Sequence, residues 1–193
     1  MGRQKQFDTD RALDAAMRLF WEKGYEAASM SELTAAMGVQ RPSVYSAFGD
    51  KRELFEAALR KYTVDHAAGI RATLQRAGSV RQGFREVFGN VLKDGDSDRP
   101  ARGCFCINTM VELAPHDERF EVLTREHQMY LAALFAEAIE RGVRTGELKE
   151  ISQPKALAET LVVALIGLTV LLKARPERAT AERSAETILT LLR

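Results

Sequence analysis

The chain has 193 residues, which suits one compact domain or a small domain joined to a larger one and is too short for a full (β/α)8 barrel. Its 46% hydrophobic and 28% charged residues are typical of an ordinary globular protein. The 28 Lys plus Arg residues are balanced by 27 Asp plus Glu, and the net charge of +1 excludes a polybasic nucleic-acid coat. A local basic patch that binds nucleic acid is still compatible with this balance.

Cysteine usage and hydropathy bear on the compartment. Cys104 and Cys106 are too few and too close for the disulfide framework of a small secreted domain. The polar N-terminal segment lacks the apolar stretch of a signal peptide. The longest apolar run, Leu161 to Leu172, has 12 residues, whereas a bilayer span needs roughly 20. We therefore expect a cytoplasmic protein without a membrane partner, in which this run forms a buried helix.

Helical periodicity dominates the sequence and predicts an all-α fold, because no bounded stretch alternates apolar and polar residues as a strand does. Ser29 and Glu32 form a capping box ahead of a short helix. Pro42 fits only the first turn of the helix that follows. Three N-terminal helices are expected, over residues 9–23, 29–37 and 41–48.

The remaining chain is also predicted to be helical. Asp50 is a suitable N-cap for a long helix, and Pro154 suits the first turn of a later one. Residues 94–100 combine Asp, Gly, Ser and Pro, which favour a mobile surface loop. Helices are expected over residues 50–75, 80–93, 103–113, 117–144, 154–174 and 178–193.

Two short helices joined by a turn that contains Gly38 have the anatomy of a helix-turn-helix, whose second helix fits the major groove of DNA. The second helix carries a guanidinium and several hydroxyl groups, which are donors for phosphate oxygens and base edges. Lys51 adds a cation just beyond it. The donors on the second helix are Arg41, Ser43, Tyr45 and Ser46.

A wider pattern surrounds this motif and runs without gaps from about residue 9 to 56. Its residues are Phe20, Gly24, Tyr25, Ser29, Met30, Leu33, Met37, Gly38, Val39, Val44, Tyr45, Phe48, Lys51, Leu54 and Phe55. This pattern resembles the N-terminal domain of TetR-family transcriptional regulators. The resemblance implies a helix-turn-helix DNA-binding domain at residues 1–50 and a helical domain for ligand binding and dimerisation at residues 51–193.

The resemblance also implies roles for single residues. Ser29, Tyr45 and Lys51 are expected to contact phosphates, while Arg41, Pro42 and Ser43 face the groove. The expected core residues of this domain are Phe20, Leu33, Val44 and Phe48.

Two positions depart from the family pattern. Gln40 stands where a small hydroxyl residue usually caps the recognition helix, so its side chain is a candidate for reading a base. Pro42 replaces the more usual Gly or Ala, which leaves the base contacts and the operator sequence undetermined. Arg3 and Lys5 form a short basic arm, which is either a minor-groove contact or a disordered tail.

The C-terminal helices carry more apolar surface than one core-facing stripe requires. By resemblance they form a four-helix bundle with a second copy of the chain, so the protein is expected to be a homodimer. Two-fold symmetry then predicts an inverted-repeat operator.

The helical body is expected to hold an unknown small-molecule effector. Asn108 and Glu112, at positions i and i+4, share one face of a helix and are candidates to present polar groups to it. Simple core packing is the alternative for most of the apolar candidates. The full candidate set is Phe84, Phe88, Phe105, Asn108, Met110, Glu112, Met129 and Tyr130.

Cys104 lies near a predicted helix N-terminus with Arg102 nearby, features that lower a thiol pKa, so Cys104 or Cys106 could instead sense electrophiles or oxidants. Inert burial is the competing interpretation. The three histidines have no ligand spacing with these cysteines, and neither a metal nor a cofactor is expected.

The sequence contains no recognisable catalytic motif, so we do not expect an enzyme. A helical interaction module without DNA binding remains an alternative. The sequence favours a homodimeric repressor that an effector releases from double-stranded DNA.

Overall fold

The computed structural model describes residues 7–95, 102–149 and 151–192, which form an all-helical fold without strands, as predicted. The helices are α1 (Thr9–Lys23), α2 (Met30–Met37), α3 (Arg41–Phe48), α4 (Lys51–Arg76), α5 (Val80–Gly95), α6 (Phe105–Glu112), α7 (Glu118–Arg144), α8 (Pro154–Lys173) and α9 (Arg178–Leu189), followed by a 3-10 turn at Thr190–Leu192. The predicted loop at 94–100 falls largely outside the described residues.

Local sequence signals account for the helix ends. The capping box of Ser29 and Glu32 opens α2, and an equivalent box of Asp50 and Glu53 opens α4. Gly38 ends α2 in the left-handed conformation, with φ of 65°, which a residue with a side chain adopts only at a cost. These signals are local in sequence, which is why the helices could be predicted closely.

Two hydrophobic clusters share α4. The first combines α1, α2 and α3 with the start of α4, with α6 and with the start of α7. Phe55 of α4 lies at its centre, with ring centroids 4.8 Å from Phe20, 5.1 Å from Phe105 and 5.3 Å from Phe120. The second cluster combines the rest of α4 with α5, α7, α8 and α9. Because α4 belongs to both, the division of the chain at residue 50 stays a prediction.

Helix α8 is longer than the apolar run that suggested it. It has 20 residues, an 18-residue stretch of it has a mean hydropathy of 2.0, and within the described residues it is the helix long and apolar enough to cross a membrane. Such a helix is weak support for a membrane span, because core helices pass the same test. Leu161, Leu165 and Leu168 of α8 are buried in the second cluster, so one face of the helix is a core face.

Candidate functional site

The exposed face of α3 carries most of the residues predicted to contact DNA. Val44 is fully buried and fixes the helix against α1, α2 and α4, so the opposite face is turned outward. Arg41, Pro42, Tyr45 and Ser46 are exposed and share one face by their i, i+1, i+4 and i+5 spacing. Ser43 is half-buried. The core prediction was correct for Phe20, Leu33 and Val44, whereas Phe48 is only partly buried against the cluster.

Gln40 is the N-cap of α3, and its side chain makes no capping hydrogen bond. Its carbonyl oxygen instead accepts from the backbone N–H groups of Ser43 and Val44, at 2.9 and 3.2 Å. The exposed side-chain amide of Gln40 therefore does not cap the start of α3, as expected from the poor capping ability of glutamine.

Arg41 and Tyr45 form a pair on the outward face. The guanidinium donates to the Tyr45 hydroxyl at 3.2 Å and lies 5.6 Å from the centroid of the tyrosine ring. Tyr45 is 43% exposed although it is a large aromatic residue. The pair thus holds a planar cation and a hydroxyl group at the surface, which are groups suited to base edges and phosphates.

Ser29 and Lys51 flank α3 and already have partners. The backbone N–H and hydroxyl group of Ser29 both donate to one carboxylate oxygen of Glu32. Lys23 and Ser29 together lower the pKa of Glu32 to about 2, so the carboxylate is ionised. The Lys51 ammonium lies 4.4 Å from the ring centroid of Tyr25. A phosphate contact by Ser29 therefore has to compete with its capping role. Arg3 and Lys5 lie outside the described residues.

Helices α1 to α3, here called the head, are joined to the rest of the chain, here called the body, through hydrogen bonds to backbone groups. The carboxylate of Glu112 in α6 accepts from the backbone N–H groups of Tyr25 and Glu26, at 2.9 and 3.2 Å. The indole N–H of Trp21 in α1 donates to the carbonyl oxygen of Gly103 at 3.1 Å. The residue Gly103 just before α6 therefore binds the end of α1, and Glu112 at the end of α6 binds the turn between α1 and α2.

The body contains a cavity of about 350 Å³, at the lower end of the range for small-molecule pockets. Its wall is mainly apolar and is built from α1, α4, α5, α6, α7 and α8. Met17 and Trp21 belong to α1, so the head itself contributes to the wall. His66 and His127 face each other across α4 and α7, with 3.1 Å between Nδ1 of the first and Nε2 of the second.

None of the residues predicted to bind the effector lines this cavity, but Phe105, Asn108 and Glu112 line a second cavity of about 410 Å³, so the predicted effector set stays a prediction. Phe84, Phe88 and Phe105 are core residues because their helices bury them completely, and Met129 and Tyr130 are exposed on α7. Asn108 is held by Arg102 and Lys173, Glu112 holds the head, and Met110 accepts from Gln128. The aromatic and methionine residues that were predicted from their helical spacing therefore lie in the core or on the surface, and none of them lies on the wall of the 350 Å³ cavity.

The cavity residues on α1 and the histidine pair were not predicted from the sequence. His66 and His127 are 61 residues apart, and no local spacing relates them. Met17 and Trp21 have the helical spacing of an ordinary core-facing stripe on α1. Because helix packing brings these positions together, no sequence signal available from this chain alone could have identified them.

The lowered thiol pKa expected for Cys104 is not found. Cys104 and Cys106 are both buried, and burial raises the pKa of each thiol because it disfavours the thiolate. The hydroxyl of Tyr62 donates to the Cys104 sulfur at 3.2 Å, which only partly offsets this effect. Both thiols line the cavity, but neither has the electropositive, accessible surroundings of a reactive cysteine. Within the described residues, no three His, Cys, Asp or Glu side chains are placed to hold a metal ion.

The fold and the exposed face of α3 define a helix-turn-helix DNA-binding protein. The family model for bacterial regulatory proteins of the tetR family matches residues 12–58, and the model for the tetracyclin repressor-like C-terminal domain matches residues 81–188. The chain belongs to the TetR family of transcriptional regulators, and it is a regulator rather than an enzyme.

Several known proteins, including one of solved structure, are similar over most of the chain. The HTH-type regulator YezE of Bacillus subtilis is 31% identical across 100% of both chains. The HTH-type transcriptional repressor ComR of Escherichia coli is 34% identical and covers 88% of this chain and 81% of its own. A cysteine mutant of the TetR family regulator CifR, solved with 26-bp double-strand operator DNA, has a TM-score of 0.86 and 33% identity across 100% of both chains.

Proposed function

We propose that the protein is a homodimeric, cytoplasmic repressor that binds an inverted-repeat operator and leaves it when a small molecule occupies the cavity. The observation that carries this proposal is the similarity, over the whole of both chains, to a regulator solved on operator DNA. ComR, which is named as a transcriptional repressor and is similar over most of its length, adds support. In this chain the α3 face, with Gln40, Arg41, Pro42, Ser43, Tyr45 and Ser46, contacts the DNA, and Ser29 and Lys51 bind flanking phosphates.

The dimer is supported by the second face of α8. Val163, Val170 and Leu171 are exposed on this helix, opposite the residues that enter the core. Gly167 lies among them with open space where a Cβ would be, so a second helix can approach the backbone closely. A row of exposed apolar side chains on a long helix is typical of a protein interface. With two-fold symmetry, this face pairs with itself and places two copies of α3 on one DNA molecule.

Release is supported by the position of α1. This helix lines the cavity through Met17 and Trp21 and packs against α2 of the head through the first cluster. A molecule that binds the cavity better when α1 has moved shifts the population toward dimers whose recognition helices are wrongly spaced. The shift is limited by the difference in affinity between the two states.

The test begins with selection of random duplex DNA by the purified protein, followed by sedimentation and operator titrations on two variants. We expect an enriched inverted repeat, bound at roughly 10⁻⁸ to 10⁻¹¹ M and weakened by salt. The variant Val163→Asp should sediment as a monomer and lose operator affinity at least tenfold.

The variant Val64→Asp is the matched control. Val64 on α4 is 67% exposed and Val163 is 68% exposed, so the two substitutions add the same charge to equally accessible positions. A dimer that survives Val163→Asp as well as Val64→Asp, or an enriched sequence without two-fold symmetry, would contradict the proposal.

A further inference from the structure

Most polar groups on the cavity wall are already committed to protein partners. The hydroxyl of Tyr62 donates to the sulfur of Cys104, and the hydroxyl of Thr169 donates to the carbonyl oxygen of Leu165 at 2.8 Å. The hydroxyls of Tyr62 and Thr169 are therefore not available to a molecule in the cavity unless a protein hydrogen bond is broken. The side-chain amide of Gln128 donates one N–H to the sulfur of Met110 and keeps its second N–H and its oxygen for other partners.

The pair formed by His66 and His127 adds two further hydrogen-bonding nitrogens to the wall. Its inner nitrogens are 3.1 Å apart, and the ring of Tyr62 stacks on that of His66 with 5.3 Å between centroids. Burial lowers the pKa of both histidines to about 4, so both imidazoles are neutral near pH 7. A neutral imidazole has one donor and one acceptor nitrogen. Within the pair one inner nitrogen donates and the other accepts, so the two outer nitrogens always have opposite character.

The outer nitrogens are open to hydrogen bonding. Neither has a protein partner among the described residues. In the described part of the chain, every buried side-chain nitrogen or oxygen atom has a hydrogen-bond partner. The outer nitrogens have no partner there, so they are not fully buried. Both histidines line the cavity, so we expect a bound molecule to reach their outer nitrogens. A purely hydrocarbon occupant would leave these polar groups without partners, which is unfavourable.

The charge of the wall restricts the occupant further. Its described lining contains no Lys or Arg, so a carboxylate or phosphate would lose its hydration without gaining a counter-charge. The one acidic residue on the wall is Asp65, which is largely exposed and lies 3.4 Å from the ammonium of Lys61. The remaining lining is mainly aliphatic and aromatic, and the volume of about 350 Å³ suits one or two rings.

Resting on the proposed function, we propose that the His66–His127 pair is the polar recognition site for the effector, an uncharged, mainly apolar molecule of one or two rings with a hydroxyl or carbonyl group. The hydroxyl or carbonyl oxygen binds an outer nitrogen of the pair. The rings pack against Trp21, Ile107 and Leu165 on the apolar wall.

Three probes of one shape test the chemical class by isothermal titration calorimetry of the full-length protein at pH 7. They are naphthalene, 2-naphthol and 2-naphthoate, which differ in having no polar group, a hydroxyl or a charge. We expect 2-naphthol to bind at least tenfold more tightly than either of the others. Trp21 is the single tryptophan of the chain and lines the cavity, so energy transfer from it to bound 2-naphthol reports the location.

Variants of the pair test the residues. In the double variant His66→Leu/His127→Leu, we expect naphthalene affinity to be kept or increased and the preference for 2-naphthol to disappear. The matched control is His116→Leu, because His116 is an exposed histidine outside the wall. The single variant His127→Gln retains a hydrogen-bonding side chain. It should keep part of the preference, which provides a readout should the double variant not fold.

Several outcomes would overturn the inference. They are equal affinity for the three probes, strongest binding of 2-naphthoate, no binding at millimolar concentration, or an unchanged preference in the folded double variant. Operator selection and sedimentation use none of these probes. A failure here therefore leaves the dimeric repressor standing, and a failure of the repressor is recognised separately.

Discussion

At the scale of single residues, the DNA face shows how a local pattern and a specific contact combine. The sequence identified Arg41 and Tyr45 by their type and by the resemblance. The structure adds that the two side chains bind each other on the exposed face of α3. A guanidinium ordered in this way loses less side-chain entropy when it binds a base edge.

Arg41 and Lys51 are expected to differ in their effects on DNA binding. Arg41→Ala should cost about 1–3 kcal/mol on the selected operator and relax specificity, because a base contact is lost. Lys51→Ala should weaken binding to all sequences and reduce the salt slope by about one, because a phosphate contact is lost. Tyr45→Phe should resemble Lys51→Ala. Titrations at several salt concentrations measure both effects, with Lys149→Ala as an exposed control. Equal loss on all sequences for Arg41→Ala would reject its base-reading role.

The histidine pair predicts a pH dependence of stability. In the unfolded chain a histidine has a pKa near 6.5, whereas His66 and His127 have pKa values of about 4 when folded. Between these values the unfolded chain binds protons that the folded chain does not, so the free energy of unfolding falls as pH is lowered from 6.5 towards 4. The loss reaches at most about 1.4 kcal/mol per histidine for each pH unit.

Urea unfolding at pH 7, 6 and 5 measures this dependence. His66→Gln/His127→Gln should flatten it, and His116→Gln, at an exposed position, should leave it intact. The exposed carboxylate of Glu32 has a pKa of about 2 when folded and near 4.5 when unfolded, so it adds only a small loss of stability down to pH 5 and a larger one below that pH. A double variant with the same slope as the unmodified protein would show that the pair is not the source.

At the scale of elements, α6 is the link between cavity and head. Its N-terminal half lines the cavity through Cys106 and Ile107, and its last residue, Glu112, binds the turn after α1. Gly24 in that turn has φ of 83°, and a Cβ there would lie 3.1 Å from the carboxylate oxygens of Glu112. The close approach of turn and carboxylate therefore depends on glycine both for its backbone conformation and for its missing side chain.

Removal of the Glu112 carboxylate should loosen this junction. Glu112→Ala is expected to lower the free energy of unfolding by about 2 kcal/mol, because two backbone N–H groups lose a charged acceptor. Chemical unfolding monitored by circular dichroism measures this loss. Glu137→Ala is the control, since Glu137 is an exposed glutamate on α7. If both variants lose the same small amount of stability, Glu112 does not hold the head.

At the scale of the whole molecule, the hydrophobic core of the head is completed by residues from the body. Phe55 of α4, Phe105 of α6 and Phe120 of α7 complete the cluster that begins with Phe20. The three head helices are short, and isolated helices of 8 to 15 residues are marginal without tertiary packing.

A fragment of residues 1–50 is therefore expected to lack stable helical structure on its own. A fragment of residues 1–76 adds α4 with Leu54, Phe55 and Leu59 and should gain helicity, though it remains less stable than the full chain. Far-UV circular dichroism with thermal unfolding compares the two fragments with the full chain. Cooperative unfolding of the 1–50 fragment would contradict this expectation and support an independent domain ending at residue 50.

The sequence by itself determined the helices, the helix-turn-helix and the family. Helix caps and apolar periodicity act over three or four residues. Helix ends are therefore set locally, whatever the tertiary structure, by Ser29, Gly38, Pro42 and Asp50. The same holds for the outward residues of α3, whose positions follow from the helical repeat.

The tertiary structure alone decided the cavity, the state of the thiols and the junction between head and body. His66 meets His127, Trp21 meets Gly103 and Glu112 meets the turn after α1 across 61 to 87 residues of sequence. Their pairing depends on the way long helices cross, which periodicity leaves open. The pKa values of the thiols and imidazoles follow from burial, and burial exists only once the helices have packed.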